Sequence, residues 1–306
     1  MNSSSHIRLG VLGMSDGNGH PYSWSAIFNG YEREHMKNGP FPGIFEYLEK
    51  QKFPEDMIIE ASVTHVWTQD IRLSEHIARS SNIPYIVKDY REMIGRVDAV
   101  LLARDDAENH YEMSREFLDA GLPIFIDKPL AYDVDTAKAI FALQKYPNQI
   151  FSCSSLRYAN EFLLDQQAMD NIGQIRFIDA TVPKSWNKYG VHVIEPILAI
   201  VGFDKEILYF NSVRTEEGVV VTLKFSNAIT CSIKAIEAAA SPITITVSGS
   251  RGYRTMNFMD SFNAFKTSLI SFINVIRDLE NGIPMAHTLK IVDIIEKGNI
   301  LSNKQI

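Results

Sequence analysis

Lys128 stands in Ile124-Phe125-Ile126-Asp127-Lys128-Pro129, an apolar run that ends on two charges and a proline. An ammonium at the end of a strand can hydrogen-bond a substrate hydroxyl and stabilise the alkoxide that develops there. A loop lysine without a chemical task fits the same residues, so position decides between the two readings. A second candidate centre is Gly190-Val191-His192-Val193-Ile194-Glu195, which reads as a helix start. His192 and Glu195 are three apart and share a helical face. A histidine beside a carboxylate can accept the proton of an alcohol near neutral pH. A partly buried structural pair and a metal half-site are the other readings of this spacing. No second ligand pair is spaced for zinc, so no metal is predicted.

A third feature is Gly13-Met14-Ser15-Asp16-Gly17-Asn18-Gly19-His20-Pro21-Tyr22, directly after the strand-like Leu9–Leu12. A strand, a glycine-rich turn and a helix start together cradle a pyrophosphate. Glycine lets the backbone approach the anion, and the helix N-terminus offers N–H groups and positive dipole. Gly17 and Gly19 give Gly-x-Gly, but Tyr22 occupies the third glycine's place; counting from Gly13 puts Ser15 at the second place. An ordinary glycine-rich turn remains an equal reading. The acid that usually holds an adenosine ribose at the end of the second strand is matched by position to Thr68, with Asp70 two residues on. Arg72 could meet a 2′-phosphate, so NAD and NADP both stay open.

These residues need elements to position them. The first half alternates short apolar runs (9–12, 58–66, 97–103, 124–126) with helical patterns around Trp24–Tyr31, Leu73–Ala78, Met113–Leu118 and Thr136–Lys145; Ile83–Val87 reads as a short edge segment. Such alternation implies right-handed crossovers and a parallel sheet. Residues 32–55 interrupt it with a Gly/Pro loop signal and a short helical pattern at Ile44–Leu48, either a lid or oligomer contact or a packed surface excursion. The second half changes to period two in Ile175–Val182, Val219–Phe225, Ile229–Lys234 and Ile243–Val247, which predicts a mainly antiparallel sheet with one buried face. Helices around 262–279 and 289–301 close the chain. The predicted fold class is α/β: a Rossmann domain over 1–130, a connecting helix over 133–146, and an open-sheet α+β domain over 147–306. Whether the C-terminal helix packs back on the first domain stays open.

Composition limits the function. The 306 residues carry a net charge of −7, which argues against nucleic acid, whose phosphates need a basic partner surface. No apolar run is long enough to span a bilayer. The polar N-terminus lacks the order of a signal peptide, and two cysteines, Cys153 and Cys231, make no disulfide framework. A cytoplasmic protein is expected.

Taken in order, the segments resemble the Gfo/Idh/MocA family, named for glucose–fructose oxidoreductase and inositol dehydrogenase. Gly10-Val11-Leu12-Gly13, Val97–Ala103, Ala120–Ala131 with Asp127 for the family's Glu, Leu156-Arg157-Tyr158, Gly190-Val191-His192 followed by Glu195, and Gly249-Ser250-Arg251-Gly252 carry the likeness. The resemblance implies a nicotinamide domain and an open α/β domain with a sugar, cyclitol or nucleotide-sugar substrate. It implies that Lys128 polarises the reacting oxygen and His192 is the acid/base. It also places Arg104, Asp127 and Lys128 among cofactor contacts. Arg157, Trp186, Lys188 and Glu195 become substrate contacts, and the sheet of the second domain an oligomer surface for a dimer or tetramer. Lys188 stands where many members carry an acid, four residues before the histidine. It lowers a neighbouring histidine's pKa or binds a substrate anion, and Tyr189 is a further proton donor. Transient redox in lyase or glycosidase chemistry, and a non-catalytic ligand sensor, are the alternative functions.

Overall fold

The computed structural model describes residues 6–303; the polar stretch 1–5 lies outside them. The chain divides into two units. The first comprises residues 1–130, 138–152 and 265–283, and the second 131–137, 153–264 and 284–306.

In the first unit, strands β1 (Ile7–Leu12), β2 (Ala61–Trp67), β3 (Tyr85–Ile86), β4 (Ala99–Leu102), β5 (Ile124–Ile126) and β6 (Ile150–Phe151) form one sheet. Its order is β3-β2-β1-β4-β5-β6, and every pairing is parallel. That is the doubly wound dinucleotide-fold order, with its switch point between β1 and β4. The strands are short and apolar because helices cover a parallel sheet and leave no solvent face to pattern. Every residue of β4 and β5 is buried. Around the sheet run α1 (His20–Asn29), α2 (Arg33–Lys37), α3 (Pro42–Leu48), α4 (Ile71–Ser80) and α5 (His110–Asp119). The chain continues through α6 (Val134–Ala142), whose second half belongs to this unit. Trp24, Phe125, Phe151 and Phe272 stack in the core, with ring centroids 4.8–5.6 Å apart. The Phe125–Phe151 pair is edge-to-face, a geometry that adds to plain area burial.

The interruption at 32–55 holds α2 as well as the expected α3. Glu32 caps α2 by accepting the Glu34 and His35 N–H groups. Met36 and Leu48 are buried, and the Phe41 ring lies 5.8 Å from Tyr22. The segment therefore packs onto the start of α1.

The second unit's sheet contains β7 (Ile175–Pro183), β8 (Ile207–Thr215), β9 (Gly218–Phe225), β10 (Thr230–Ile236), β11 (Thr244–Gly249) and β12 (Tyr253–Asn257). Its order is β12-β11-β7-β10-β9-β8. All pairs are antiparallel except β7 with β10, which is parallel. Alternate residues of β10 are buried, the mark of a sheet with one covered face. Helices α7 (Gln166–Ile172), α8 (Trp186–Tyr189), α9 (Val191–Val201) and α11 (Met285–Asn303) belong to this unit, while α10 (Ser261–Ile276) lies mostly in the first. Strands β8 and β12 escape a period-two reading because both of their faces are partly exposed. Both cysteines are buried. Among the described residues no helix is long and apolar enough to cross a membrane.

Candidate functional site

The carboxyl ends of β1, β2, β4 and β5 lead into the turn 13–19, Thr68–Asp70, Ala103–Asp106 and Asp127–Lys128. These are the positions where a doubly wound sheet binds ligands. Lys128 and Asp127 are buried there, 5% and 1% exposed. The Lys128 ammonium lies 3.7 Å from Asp105 Oδ2. Asp105 Oδ1 accepts the Ser15 hydroxyl at 2.6 Å, and the Asp105 N–H donates back to Ser15 Oγ. Asp127 Oδ1 accepts the Lys128 N–H at 2.8 Å. Its Oδ2 accepts Asn18 Nδ2 at 2.8 Å and lies 2.6 Å from His20 Nδ1. Burial pushes the Asp127 carboxyl up, but His20, Lys128 and Asn18 outweigh it and hold the group far below the ordinary carboxylate range.

The turn itself is tied down. The Gln69 amide donates to Met14 O and accepts Met14 N–H, and Arg104 donates to the same Gln69 oxygen. Arg104 also pairs with Asp106. Gly17 sits at φ +72° on an exposed stretch, a conformation that favours glycine. Gly19 is buried, and a Cβ there would meet the Phe41 ring at 2.9 Å. A β-carbon on Gly13 would run into Pro21. The helix-start reading needs a correction. The His20 N–H is taken by Asn18 Oδ1, and Pro21 has no N–H, so the first turn of α1 offers an anion less than an open N-terminus does.

Thr68 is buried, with its hydroxyl given to Asp70 O and shared with Ser74. Asp70 caps α4 by accepting the Arg72 N–H. Both are therefore engaged locally at the end of β2. Beside them opens a cavity of about 440 Å³ lined by Trp67, Thr68, Gln69, Ile71, Val87 and Lys88. Its apolar walls, polar rim and one ammonium suit the adenosine end of a dinucleotide. The residues therefore fit a dinucleotide along the carboxyl edge, held by the exposed pair Asp16–Gly17 more than by α1.

The second unit builds the other candidate centre on α9, which is buried from Val191 to Leu198. Gly190 permits the close approach of α8, since a Cβ there would meet Trp186 O at 2.8 Å. Pro196 inside α9 lacks the N–H that would bond the His192 carbonyl. His192 is 9% exposed, and its Nδ1 lies 2.8 Å from Ser154 Oγ. Ser154 Oγ also accepts the Leu156 N–H. The Tyr189 ring meets the imidazole edge-on at 5.1 Å, and Lys184 Nζ lies over the Tyr189 ring. Lys188 is half-buried in the same short helix.

Two expectations are corrected here, one from spacing and one from the resemblance. Glu195 is not the partner of His192. It is fully buried, accepting Ser154 N–H at 2.8 Å on one oxygen and Arg157 at 2.9 Å on the other. Burial pushes its carboxyl up, and Arg157 with the Ser154 N–H only partly offsets this. Its reach to the histidine runs through Ser154, so it supports the site from behind instead of touching a ligand. Arg157, partly exposed, spends its guanidinium on Glu195 and lies over the Phe203 ring. Trp186 is also no substrate contact: it is 1% exposed and its indole N–H donates to Ile295 O of α11. Ser154, Asn18, His20 and Asp105 were not singled out from the sequence. Asn18 and His20 lie inside the glycine-rich turn, and only the fold reveals which carboxylates they meet. Among the described residues no cluster of His, Cys, Asp or Glu is placed to hold a metal ion.

Residues 46–154 match the model of the Gfo/Idh/MocA family, an oxidoreductase family with an NAD-binding Rossmann fold. The match covers 109 of the 306 residues. The matched segment carries Lys128, Asp127 and Ser154 but begins after the glycine-rich turn, where the chain departs from the usual glycine spacing. No curated protein matches the sequence. Solved structures share the fold over nearly the whole length. Myo-inositol 2-dehydrogenase from Lactobacillus plantarum is 16% identical with a TM-score of 0.76, covering 98% of each chain. Scyllo-inositol dehydrogenase from Lactobacillus casei, solved with NAD(H) and scyllo-inositol, is 13% identical with a TM-score of 0.73, again covering 98% of each. A probable dehydrogenase from Thermotoga maritima is 16% identical with a TM-score of 0.73 over 98% of each chain.

Proposed function

We propose that this protein is an NAD(P)-dependent dehydrogenase or reductase acting on a CH–OH group of a sugar, cyclitol or nucleotide sugar. The observation that carries the reading is Lys128. It is a buried ammonium at the carboxyl end of β5, flanked by two buried carboxylates, in a segment of an NAD-binding oxidoreductase family. The inositol dehydrogenases with the same fold support a polyol substrate.

The nicotinamide supplies the hydride acceptor or donor. Lys128 hydrogen-bonds the reacting oxygen and stabilises its developing negative charge. His192 takes or returns the hydroxyl proton, with Ser154 Oγ fixing the ring through Nδ1 so that Nε2 is the working nitrogen. Tyr189 and Lys188 flank the histidine in sequence. Lys188 is a candidate for a substrate carboxylate or phosphate, which would distinguish this substrate from a neutral cyclitol.

The second sheet also supports self-association. In register, Tyr253, Ser248, Phe177, Thr230, Lys224 and Tyr209 form one cross-strand row. Its three aromatics are 76%, 40% and 53% exposed in the order Tyr253, Phe177, Tyr209. Such a row is an expensive surface to leave in water, and we assign it to a homo-oligomer contact. Sedimentation should show Phe177→Lys shifting the protein toward the monomer.

Calorimetry tests the cofactor assignment. The purified chain should bind NAD(H) or NADP(H), and the absence of binding to both would end the reading. Net accumulation of reduced nicotinamide with a polyol would set it apart from lyase or glycosidase chemistry that reoxidises its cofactor in each turnover.

A further inference from the structure

Resting on that reading, we infer that Ser15, Asn18, His20, Asp105 and Asp127 form a double clasp that positions Lys128 from the glycine-rich turn. The turn does more than run beside a ligand. It sends three side chains to two carboxylates, and both carboxylates touch Lys128. Ser15 holds Asp105 at 2.6 Å, and Asp105 faces the ammonium. Asn18 and His20 hold one oxygen of Asp127, while its other oxygen holds the Lys128 N–H. Backbone and ammonium of the lysine are thus fixed by separate carboxylates, each anchored to the turn 13–19 or to the first residue of α1 that follows it.

His20 is built for this task. Its ring stacks on Trp24 at 4.8 Å and meets Phe265 edge-on at 5.0 Å. The imidazole plane is therefore set by packing, and Nδ1 addresses Asp127 at 2.6 Å. The ring nitrogen must carry the proton of that bond, because an ionised carboxylate only accepts. Asn18 is 4% exposed and uses both ends of its amide. Its Nδ2 serves Asp127, and its Oδ1 accepts the His20 N–H. The same asparagine therefore shapes the start of α1 and anchors the carboxylate. This explains why the turn lacks the usual glycine spacing. Glycines there would free the backbone for a pyrophosphate but would remove the side chains that hold the lysine. Asp105, Asp127, Asn18, His20 and Ser15 are positioning residues; none needs to touch substrate.

The clasp predicts that ligand contact with exposed Asp16–Gly17, next to buried Ser15, and the placement of Lys128 are coupled. It is tested with His20→Phe, which keeps the stack on Trp24 but deletes the donor, with Asn18→Ala, and with His20→Gln as the conservative variant. Two readouts are taken from the full chain. The first is the rate at which an amine-reactive acylating reagent labels Lys128, followed by peptide mass spectrometry, with exposed Lys145 as the internal standard. His20→Phe and Asn18→Ala should each raise Lys128 labelling several-fold relative to Lys145, and His20→Gln should restore most of the protection. The second is the kinetic split: kcat should fall about 10–100-fold, the scale of a small misplacement of a reacting group, with KM nearly unchanged. Unchanged Lys128 labelling in both variants would overturn the clasp, as would a wild-type kcat in a variant that merely melts earlier. The labelling readout needs no turnover. A chain that fails to bind nicotinamide but still shows the labelling change refutes the function proposed above and leaves the clasp standing.

Discussion

Lys128 and His192 each depend on a buried carboxylate, but the two carboxylates are used in opposite ways. Asp127 sits at a strand end and accepts three hydrogen bonds, from Asn18, His20 and its neighbour's N–H. Those partners outweigh burial and hold its carboxyl down. Glu195 sits inside a buried helix with two partners, Ser154 N–H and Arg157, and burial wins. The difference is one of donor supply. A loop at the edge of a sheet can send several side chains to one carboxylate, whereas a residue within a buried helix meets only what its neighbours present. The first centre is therefore expected to be rigid and tolerant of pH, and the second to rely on a single guanidinium.

The largest effects should come from the two candidate catalytic groups. Lys128→Ala should lower kcat about 100–1,000-fold, the scale for removing one charge-stabilising donor. His192→Ala should cost about 100-fold or more. Steady-state rates with the best polyol separate them. Equal losses with unchanged KM would place both groups in the transition state. Next comes Arg157→Ala, which strips the main partner from fully buried Glu195. It should cost about 3 kcal/mol, seen as a lower urea midpoint. A neutral result would show that Glu195 is protonated and the contrast with Asp127 is complete. Gly19→Ala should cost about 1–3 kcal/mol by forcing Phe41 and Ile44 away from the turn. The smallest effect tests Asp127 by pH. Its carboxyl lies below its ordinary value of 3.8 in the fold. The stability it contributes is then complete above that value and is lost as pH falls through the folded value. The Tm difference between wild type and Asp127→Asn should be constant at neutral pH and shrink on acidification below 3.8. A difference that grows on acidification would reverse the assignment.

Much of this was legible in the sequence. Buried parallel strands announce themselves as apolar runs at 9–12, 97–103 and 124–126. Their carboxyl ends located Lys128 and the glycine-rich turn without coordinates. Period two revealed β7, β9, β10 and β11, whose inner faces are buried, and missed β8 and β12, whose faces are not cleanly divided. The site was legible in its positions and not in its partners. Helical spacing placed Glu195 on the His192 face, but spacing carries no information about Ser154, which arrives from thirty-eight residues away. Trp186 beside Lys188 looked like a substrate contact until the fold showed its indole bonded to α11. His20 carried no signal within the glycine-rich turn because the carboxylate it serves lies 107 residues downstream.

The proposed function turns on hydride transfer between a polyol carbon and the nicotinamide. Its most direct test uses a polyol deuterated at the carbinol carbon, with oxidised nicotinamide cofactor and the wild-type chain. Mass spectrometry of the cofactor should show deuterium in the reduced nicotinamide, and Lys128→Ala should abolish its appearance. A product formed with no deuterium reaching the cofactor would rule out hydride transfer to the nicotinamide.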